Sequence, residues 1–309
     1  MASKVVAVAG GSGKLGRAIV DELVAHGGYT VYVLGREASA EKSKEIGAQI
    51  LAIDYNDVDG IVKTLESNNI DTLVSTIGSG SMSADPELAL IAASDKSKVT
   101  KRYIPSLWGI KYTPEIAKIF PIANIKLTLL SALSKTSLQY TSVINGFFLD
   151  YFGIPHTKTY LGAFPLVLDI PSAHASIPGT GNTPIAFTYT FDIGRYVAQT
   201  LLPNPVWAED SIIVGDKLSW TEFLAIAEDV TGKKFSVSYD SVEALEKGQV
   251  TELPGQKALY QFLPKEMLLG MVAVFGLMME RGVFDLEGGE VGFKTKTARE
   301  IVEEAWRGK

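Results

Sequence analysis

Val5-Val6-Ala7-Val8-Ala9-Gly10-Gly11-Ser12-Gly13-Lys14-Leu15-Gly16 opens the chain, and how it is read decides the fold. A β-branched run ends in a glycine cluster and passes straight into Lys14-Leu15-Gly16-Arg17-Ala18-Ile19-Val20-Asp21-Glu22-Leu23, whose apolar positions recur at helical spacing. Strand, glycine turn and helix in this order mark the start of a dinucleotide-binding βαβ unit. The glycines fit two frames, G-x-G-x-x-G through Gly11, Gly13 and Gly16 or G-x-x-G-x-x-G through Gly10, Gly13 and Gly16. Either frame supplies a tight turn, close backbone approach to a pyrophosphate, and tight packing of helix on strand. The helix N-terminus adds unpaired N–H groups and a partial positive charge. Gly10, Gly11, Ser12, Gly13, Lys14, Leu15 and Gly16 are therefore the first candidate cofactor contacts. The alternative is a structural turn in an α/β protein that binds something else.

Beyond the first helix, Thr30-Val31-Tyr32-Val33-Leu34 reads as a second strand, followed by Gly35-Arg36-Glu37. In such folds the end of this strand meets the adenosine ribose. An acid there accepts from the 2′-hydroxyl of NAD, whereas an arginine pairs with the 2′-phosphate of NADP. Arg36 precedes Glu37, and Ser39, Lys42 and Lys44 add donors just downstream, so the balance favours NADPH. Lys42 and Lys44 fit a solvated helix face equally. A third strand over 48–53 ends at Asp54, a helix over 57–68 is capped by Asn56 or Asp57, and a fourth strand over 71–76 runs into the small-residue loop Ile77-Gly78-Ser79-Gly80-Ser81. Open α/β sheets bind ligands at the carboxyl ends of their strands. Asp54, Thr76, Ile77 and Gly78 are thus candidate cofactor contacts, with a plain flexible loop as the alternative for Thr76, Ile77 and Gly78.

A helix over 86–98 leads to a fifth strand over 101–105, whose end carries Ser106-Leu107-Trp108-Gly109; a helix over 122–136 leads to a sixth strand over 139–144. By the same strand-end rule Pro105, Ser106, Asn145 and Gly146 join the candidates. Strand–helix alternation with short connections implies an α/β fold, a doubly wound parallel sheet of Rossmann type covered on both faces, over residues 1–150. From Asn145 the pattern becomes aromatic and irregular, and Pro155, Pro165, Pro171, Pro178 and Pro184 punctuate the chain beyond it. A second, smaller α+β substrate domain is expected over 151–309, with segments near 187–215 returning to the first. Within them a helix over 192–202 and a strand over 211–214 are legible. Helix, strand and helix come next over 221–231, 234–239 and 242–247, then an apolar helix near Met271 and a charged one over 297–306.

Of the 309 residues 46% are hydrophobic and 21% charged, ordinary values for a chain with a real core. The net charge of −6 argues against a nucleic-acid footprint. There is no cysteine, which excludes disulfides, thiolate catalysis and thiolate metal sites. The three histidines, His26, His156 and His174, are scattered, so no metal site is expected. The apolar run over 267–279 is too short to span a bilayer and is expected to lie against the core or over a ligand pocket. Residues 1–4 run straight into the first strand, so no signal peptide and a cytoplasmic location are expected. The oligomeric state is left open.

A nicotinamide enzyme needs a group to handle a proton or a developing negative charge beside the hydride. None of the twelve tyrosines is followed four residues later by lysine, so the Tyr-x-x-x-Lys pair of ordinary short-chain reductases is absent. Lys126 is the replacement. On its helix Ile122, Leu129, Leu130 and Leu133 share its face and are all apolar, whereas Lys135 points to the opposite side. A lysine on an apolar face is expensive unless paired or useful. Partial burial and a neighbouring nicotinamide cation would lower its pKa and make it a proton donor. Snorkelling from the helix end is the alternative.

The glycine turn, Arg36 with Lys42 or Lys44, Arg102-Tyr103-Ile104-Pro105-Ser106-Leu107-Trp108-Gly109, Lys126, and Thr141-Ser142-Val143-Ile144-Asn145-Gly146-Phe147-Phe148 occur in an order and spacing that resembles the NmrA-like, isoflavone reductase-like branch of atypical short-chain reductases. The resemblance extends to Asp192-Ile193-Gly194-Arg195 and to residues 235–239. It implies an NADP-binding Rossmann domain with a smaller substrate domain, and the family's catalytic lysine falls on Lys126. Two departures stand out. The family's Ile-Pro-Ser-Glu-Phe-Gly is Ile104-Pro105-Ser106-Leu107-Trp108-Gly109 here, and the double arginine often found after the lysine is replaced by Thr128, Leu129 and Leu130. Both suggest a more apolar pocket than that of the plant enzymes.

The expected activity is hydride delivery from NADPH to a conjugated or aromatic small molecule, with Lys126 as proton donor. Trp108, Phe147, Phe148, Tyr151 and Phe152 would be substrate-binding walls, or else simply the core of the second domain. The competing expectation is a redox sensor that binds NAD(P) and a protein partner without turnover.

Overall fold

The structure, a computed structural model, describes residues 2–78, 83–289 and 291–309. The first strand, β1 (Val5–Ala9), is buried from Val6 onward, as a central strand covered on both faces must be. It turns into α1 (Lys14–His26), whose apolar stripe Leu15, Ala18, Ile19 and Leu23 is buried, and which ends on Gly27 in the left-handed conformation. In chain order come β2 (Thr30–Gly35), α2 (Ala40–Ile46), β3 (Gln49–Ala52), α3 (Val58–Ser67), β4 (Thr72–Ser75), α4 (Asp85–Lys96) and β5 (Arg102–Ile104). Next are α5 (Pro114–Ile119), α6 (Ala123–Leu133), β6 (Gln139–Tyr140) and β7 (Ser142–Ile144). Of the two residues expected to cap α3, Asp57 does so, its Oδ1 accepting from Gly60 N–H at 2.9 Å. Two short helices that the sequence pattern does not delimit, α2 and α5, are capped by Ser39 and Thr113. Ser79, Gly80 and Ser81 of the expected loop lie outside the described residues.

All pairings in the main sheet are parallel, and the order is β3-β2-β1-β4-β5-β6. This is the doubly wound Rossmann arrangement, and the strand order reverses between β1 and β4. The single strand expected over 139–144 is two. Thr141 N–H still reaches Tyr103 O, at 3.3 Å, but Ser142 N–H turns to Glu209 O at 2.8 Å. So β7 leaves the main sheet for a partner far along the chain.

After β7 the chain forms β8 (Phe147–Phe148), β9 (Leu168–Asp169), β10 (His174–Pro178) and β11 (Ile185–Thr188), then α7 (Thr190–Tyr196), which continues as a π-helical turn over 197–201. β12 (Asp210–Ile212) pairs in parallel with β7. The remaining elements are β13 (Asp216–Leu218), α8 (Trp220–Thr231), β14 (Ser236–Asp240), α9 (Val242–Glu246), α10 (Lys265–Glu280) and α11 (Ala298–Trp306). The chain divides into two compact units. The first comprises residues 1–144, 190–213 and 290–292, and the second 145–189, 214–289 and 293–309.

In the first unit, Arg102 fastens the returning segment. Its guanidinium donates to Ser3 Oγ, Leu202 O, Asn204 O and Gln139 Oε1 and stacks 3.7 Å over the Trp207 ring. Only a planar fork with five donors can do this, so Arg102→Lys should lower the unfolding free energy by about 3 kcal/mol. Urea denaturation would measure the loss.

The second unit holds two three-stranded sheets, β14-β10-β9 and β13-β11-β8. Its core is aromatic. Phe147 lies within 6.4 Å, centroid to centroid, of Phe152, Phe187, Trp220, Phe275 and Phe284. The apolar helix α10 buries Leu268, Val272, Ala273 and the run 276–279, while Met267 at its start is 61% exposed. No helix among the described residues is long and apolar enough to cross a membrane.

Candidate active site

The glycine turn and the end of β4 meet where the strand order reverses. Gly10 has φ +76°, a conformation that glycine adopts without strain. A Cβ on Gly16 would fall 2.4 Å from Gly10 O and 2.3 Å from Thr76 Oγ1. A Cβ on Gly13 would meet nothing within 4 Å. Turn, open approach and close packing thus fall on Gly10, Gly13 and Gly16, which selects the second of the two frames. Gly11 is packed beneath the turn, where a Cβ would press on Val20 Cγ2 at 2.9 Å.

The N-terminus of α1 has no side-chain cap and no acid in its first turn, so its N–H groups suit an anion. Ser12, Gly13 and Lys14 are exposed around it, and Lys14 itself holds φ +47°. Leu15 is buried in the core and has only its backbone to offer a ligand. The uncapped N-terminus of α1 with exposed Ser12, Gly13 and Lys14 is an arrangement that could hold an anionic group such as a pyrophosphate.

The other expected contacts divide. Thr76 Oγ1 donates to Ala9 O at 2.8 Å and packs against the turn; Gly78 is exposed with open space around it. Arg36 comes after β2 and is exposed, as are Lys42 and Lys44 on α2. Asp54 is exposed, and its Oδ1 accepts from Asn56 N–H at 2.9 Å, organising the turn before α3. Asn145 and Gly146 belong to the second unit and are buried there, a Cβ on Gly146 falling 2.2 Å from Ala186 O.

At the end of β5, Pro105 and Ser106 are buried. Ser106 Oγ donates to Ile77 O at 2.9 Å, and Trp108 Nε1 to Ser75 O at 2.9 Å, which ties the β5 turn to the end of β4. Lys126 reaches the same turn from α6. The side chain is 8% exposed and Nζ donates to Ser106 O at 2.6 Å. It points inward and does not snorkel. Burial holds its pKa below the ordinary lysine value, against the opposing pull of Glu87. Lys135 is exposed and lines a separate surface groove of about 470 Å³ with Asn124, Leu127 and Thr128.

Glu87 is the residue that sequence reasoning missed. It accepts from Ser75 Oγ at 2.6 Å, Tyr103 OH at 3.1 Å and Ser106 N–H at 3.0 Å. Its signal was available, because Leu90, Ile91 and Ser94 come three, four and seven residues later and are buried with it on α4. The same reasoning applies to Lys126, an ionisable group on an apolar helix face. Tyr55, after β3, has its pKa pushed up to about 12 by burial and by Glu87, with Arg36 acting in the opposite sense.

Of the five aromatic residues expected around a substrate, Phe147 and Phe152 are buried in the second unit's core, whereas Phe148, Tyr151 and, in the first unit, Trp108 are half-buried. His156 is exposed and packs edge-on against Trp306 at 5.0 Å. Among the described residues no group of three His, Asp or Glu is arranged to hold a metal ion.

The profile of the NmrA-like family matches residues 2–300. Oxidoreductase BOA1 of Botryotinia fuckeliana is 36% identical over 84% of this chain and 85% of its own. Among solved structures, the ternary complex of leucoanthocyanidin reductase from Vitis vinifera superposes with a TM-score of 0.73 at 18% identity, covering 97% of this chain and 98% of its own. AtPrR2, solved with NADP+ and (+)-pinoresinol, superposes with a TM-score of 0.72 at 22% identity, covering 98% of each chain.

Proposed function

The chain belongs to the NmrA-like family, and from that premise we propose that it is an NADPH-dependent oxidoreductase reducing a conjugated or aromatic small molecule, an enone, ketone or quinone-methide-like species. The reading rests on one observation, the inward amine of Lys126 bonded to Ser106 O beyond the end of β5. The oxidoreductase name of the Botryotinia relative and the NADP+ held by AtPrR2 support it.

Gly10, Gly13, Gly16 and the first turn of α1 would hold the pyrophosphate, and Arg36, with Lys44, the 2′-phosphate. When bound, NADPH supplies the hydride. Lys126 keeps one N–H on Ser106 and has two left for a substrate oxygen, where it donates the proton that neutralises the developing charge. Trp108, half-buried beside the β5 turn in the same unit as Lys126, is the aromatic we assign to the substrate. The proposed location is the cytoplasm.

The test is NADPH consumption against a panel of enones, quinones and aryl ketones, with Lys126→Ala alongside. Tight cofactor binding with no turnover on any of them would instead make the protein a redox sensor. The cofactor assignment has its own check. Arg36→Ala should weaken NADPH binding about tenfold to a hundredfold and leave NADH binding unchanged, because only the 2′-phosphate loses its partner. Equal losses for the two cofactors in a fluorescence titration would refute the role of Arg36.

A further inference from the structure

Glu87 is a buried carboxylate for which hydride and proton transfer have no direct use. It lies in the first turn of α4 and is 5% exposed. Ser75 donates to one of its oxygens, from the end of β4; Tyr103 of β5 and the Ser106 N–H donate to the other. A carboxylate can only accept, so this set of donors is matched to the ionised form. Burial is the largest influence and leaves the Glu87 pKa above the ordinary carboxylate value, with the donors and Lys126 pulling in the opposite sense.

Ser106 joins the two charges. Its N–H is held by Glu87 and its C=O by Lys126, so amine and carboxylate meet on one residue rather than on each other. An isolated buried ammonium gives up its proton easily; an opposite charge in the same low-dielectric region holds the proton on. The other titratable groups here are the phenols of Tyr103 and Tyr55, both pushed upward by burial and by Glu87, so both are neutral at neutral pH. Arg36 acts on Tyr55 from the end of β2.

We propose that Glu87 is a positioning residue of the reductase site, acting through Ser106 to fix the Lys126 amine at the end of β5 and to keep it protonated. This rests on Lys126 being the proton donor. Position 107, where the family pattern has an acid, is Leu107, 1% exposed in the apolar core. The carboxylate beside the serine comes from α4 instead.

The experiment uses the full chain without substrate. With lysine labelled in 13C at the ε-carbon, the Lys126 signal is assigned by its absence in Lys126→Met and followed through a pH titration by NMR. In Glu87→Gln, which keeps the shape and loses the charge, the Lys126 midpoint should fall by about 1 pH unit. In Glu87→Asp it should return towards the wild-type value. An unchanged midpoint in Glu87→Gln, or an Asp variant that titrates like the Gln one, overturns the proposal.

Should Glu87→Gln fail to fold, the coupling is read from the other side, because it is reciprocal. The Glu87 carboxyl carbon should titrate higher in Lys126→Met than in wild type, and equal values overturn the proposal. In steady state Glu87→Gln should lower kcat about tenfold with KM for NADPH unchanged. A shifted Lys126 midpoint in a protein that turns over no substrate would support the coupling and sink the reductase reading. Normal turnover with no shift would leave the reductase standing and remove Glu87 from it.

Discussion

Lys126→Met should lower kcat by a factor of about 10² to 10⁴, the range of a lost general acid, while NADPH binds within about threefold of wild type. Methionine fills a similar buried volume, so the fold keeps its packing and the loss reports on the amine. Among the described residues the amine's hydrogen bond goes to Ser106 O, at 2.6 Å. The wild-type pH profile carries the same signature. Burial lowers the Lys126 pKa from 10.5, and a donor must be protonated. Turnover should therefore be full below that depressed value and fall as pH rises through it, before an ordinary lysine would titrate. Measurement of kcat against pH in both proteins checks this, and a Lys126→Met enzyme with an unaltered profile would sink the assignment.

The second large effect is expected at Gly16. Replacement by alanine would put a methyl group 2.4 Å from a backbone carbonyl, Gly10 O, and 2.3 Å from Thr76 Oγ1. A carbonyl in the turn cannot step aside, so β1 and α1 must move apart. The cost should be about 3 kcal/mol, at the upper end for overpacking, with NADPH affinity down more than a hundredfold. Gly13→Ala separates fold from binding. Its Cβ would meet nothing within 4 Å, so stability should stay within about 1 kcal/mol, while the methyl group would intrude on the space proposed for the pyrophosphate. Thermal melts and fluorescence titrations of the two variants distinguish the cases. Unchanged NADPH affinity in Gly13→Ala would show that the cofactor does not approach the turn there.

Much of this was legible because local pattern and tertiary role coincide. The run from Val5 to Ala9 is apolar throughout because β1 is covered on both faces, and Gly10 is glycine because φ is positive there. Lys126 showed itself by interrupting an apolar face. Glu87 interrupts another in the same way, but it comes after Pro86 in a first helical turn, where acids are common for reasons of capping and dipole. The split of the sixth strand was hidden for a different reason. Nothing in residues 139–144 marks the change of neighbour at Thr141, since the new partner, β12, lies at 210–212. Phe147 and Phe148 are indistinguishable in sequence, yet one is buried and the other half-buried, as alternate strand positions must be. Strands of two residues such as β8 and β9 are too short for periodicity to reveal.

The threading of the chain bears on how such proteins can diversify. The path leaves the first unit after Ile144, re-enters at Thr190, and departs again after Ile213, and the guanidinium of Arg102 depends on carbonyls supplied by that return visit. Neither unit is encoded by a continuous block. A single crossover between Ile144 and Asp210 would separate β7 from β12, and one between Arg102 and Leu202 would part a buried cation from its carbonyls, so this stretch of the chain must be inherited as one piece.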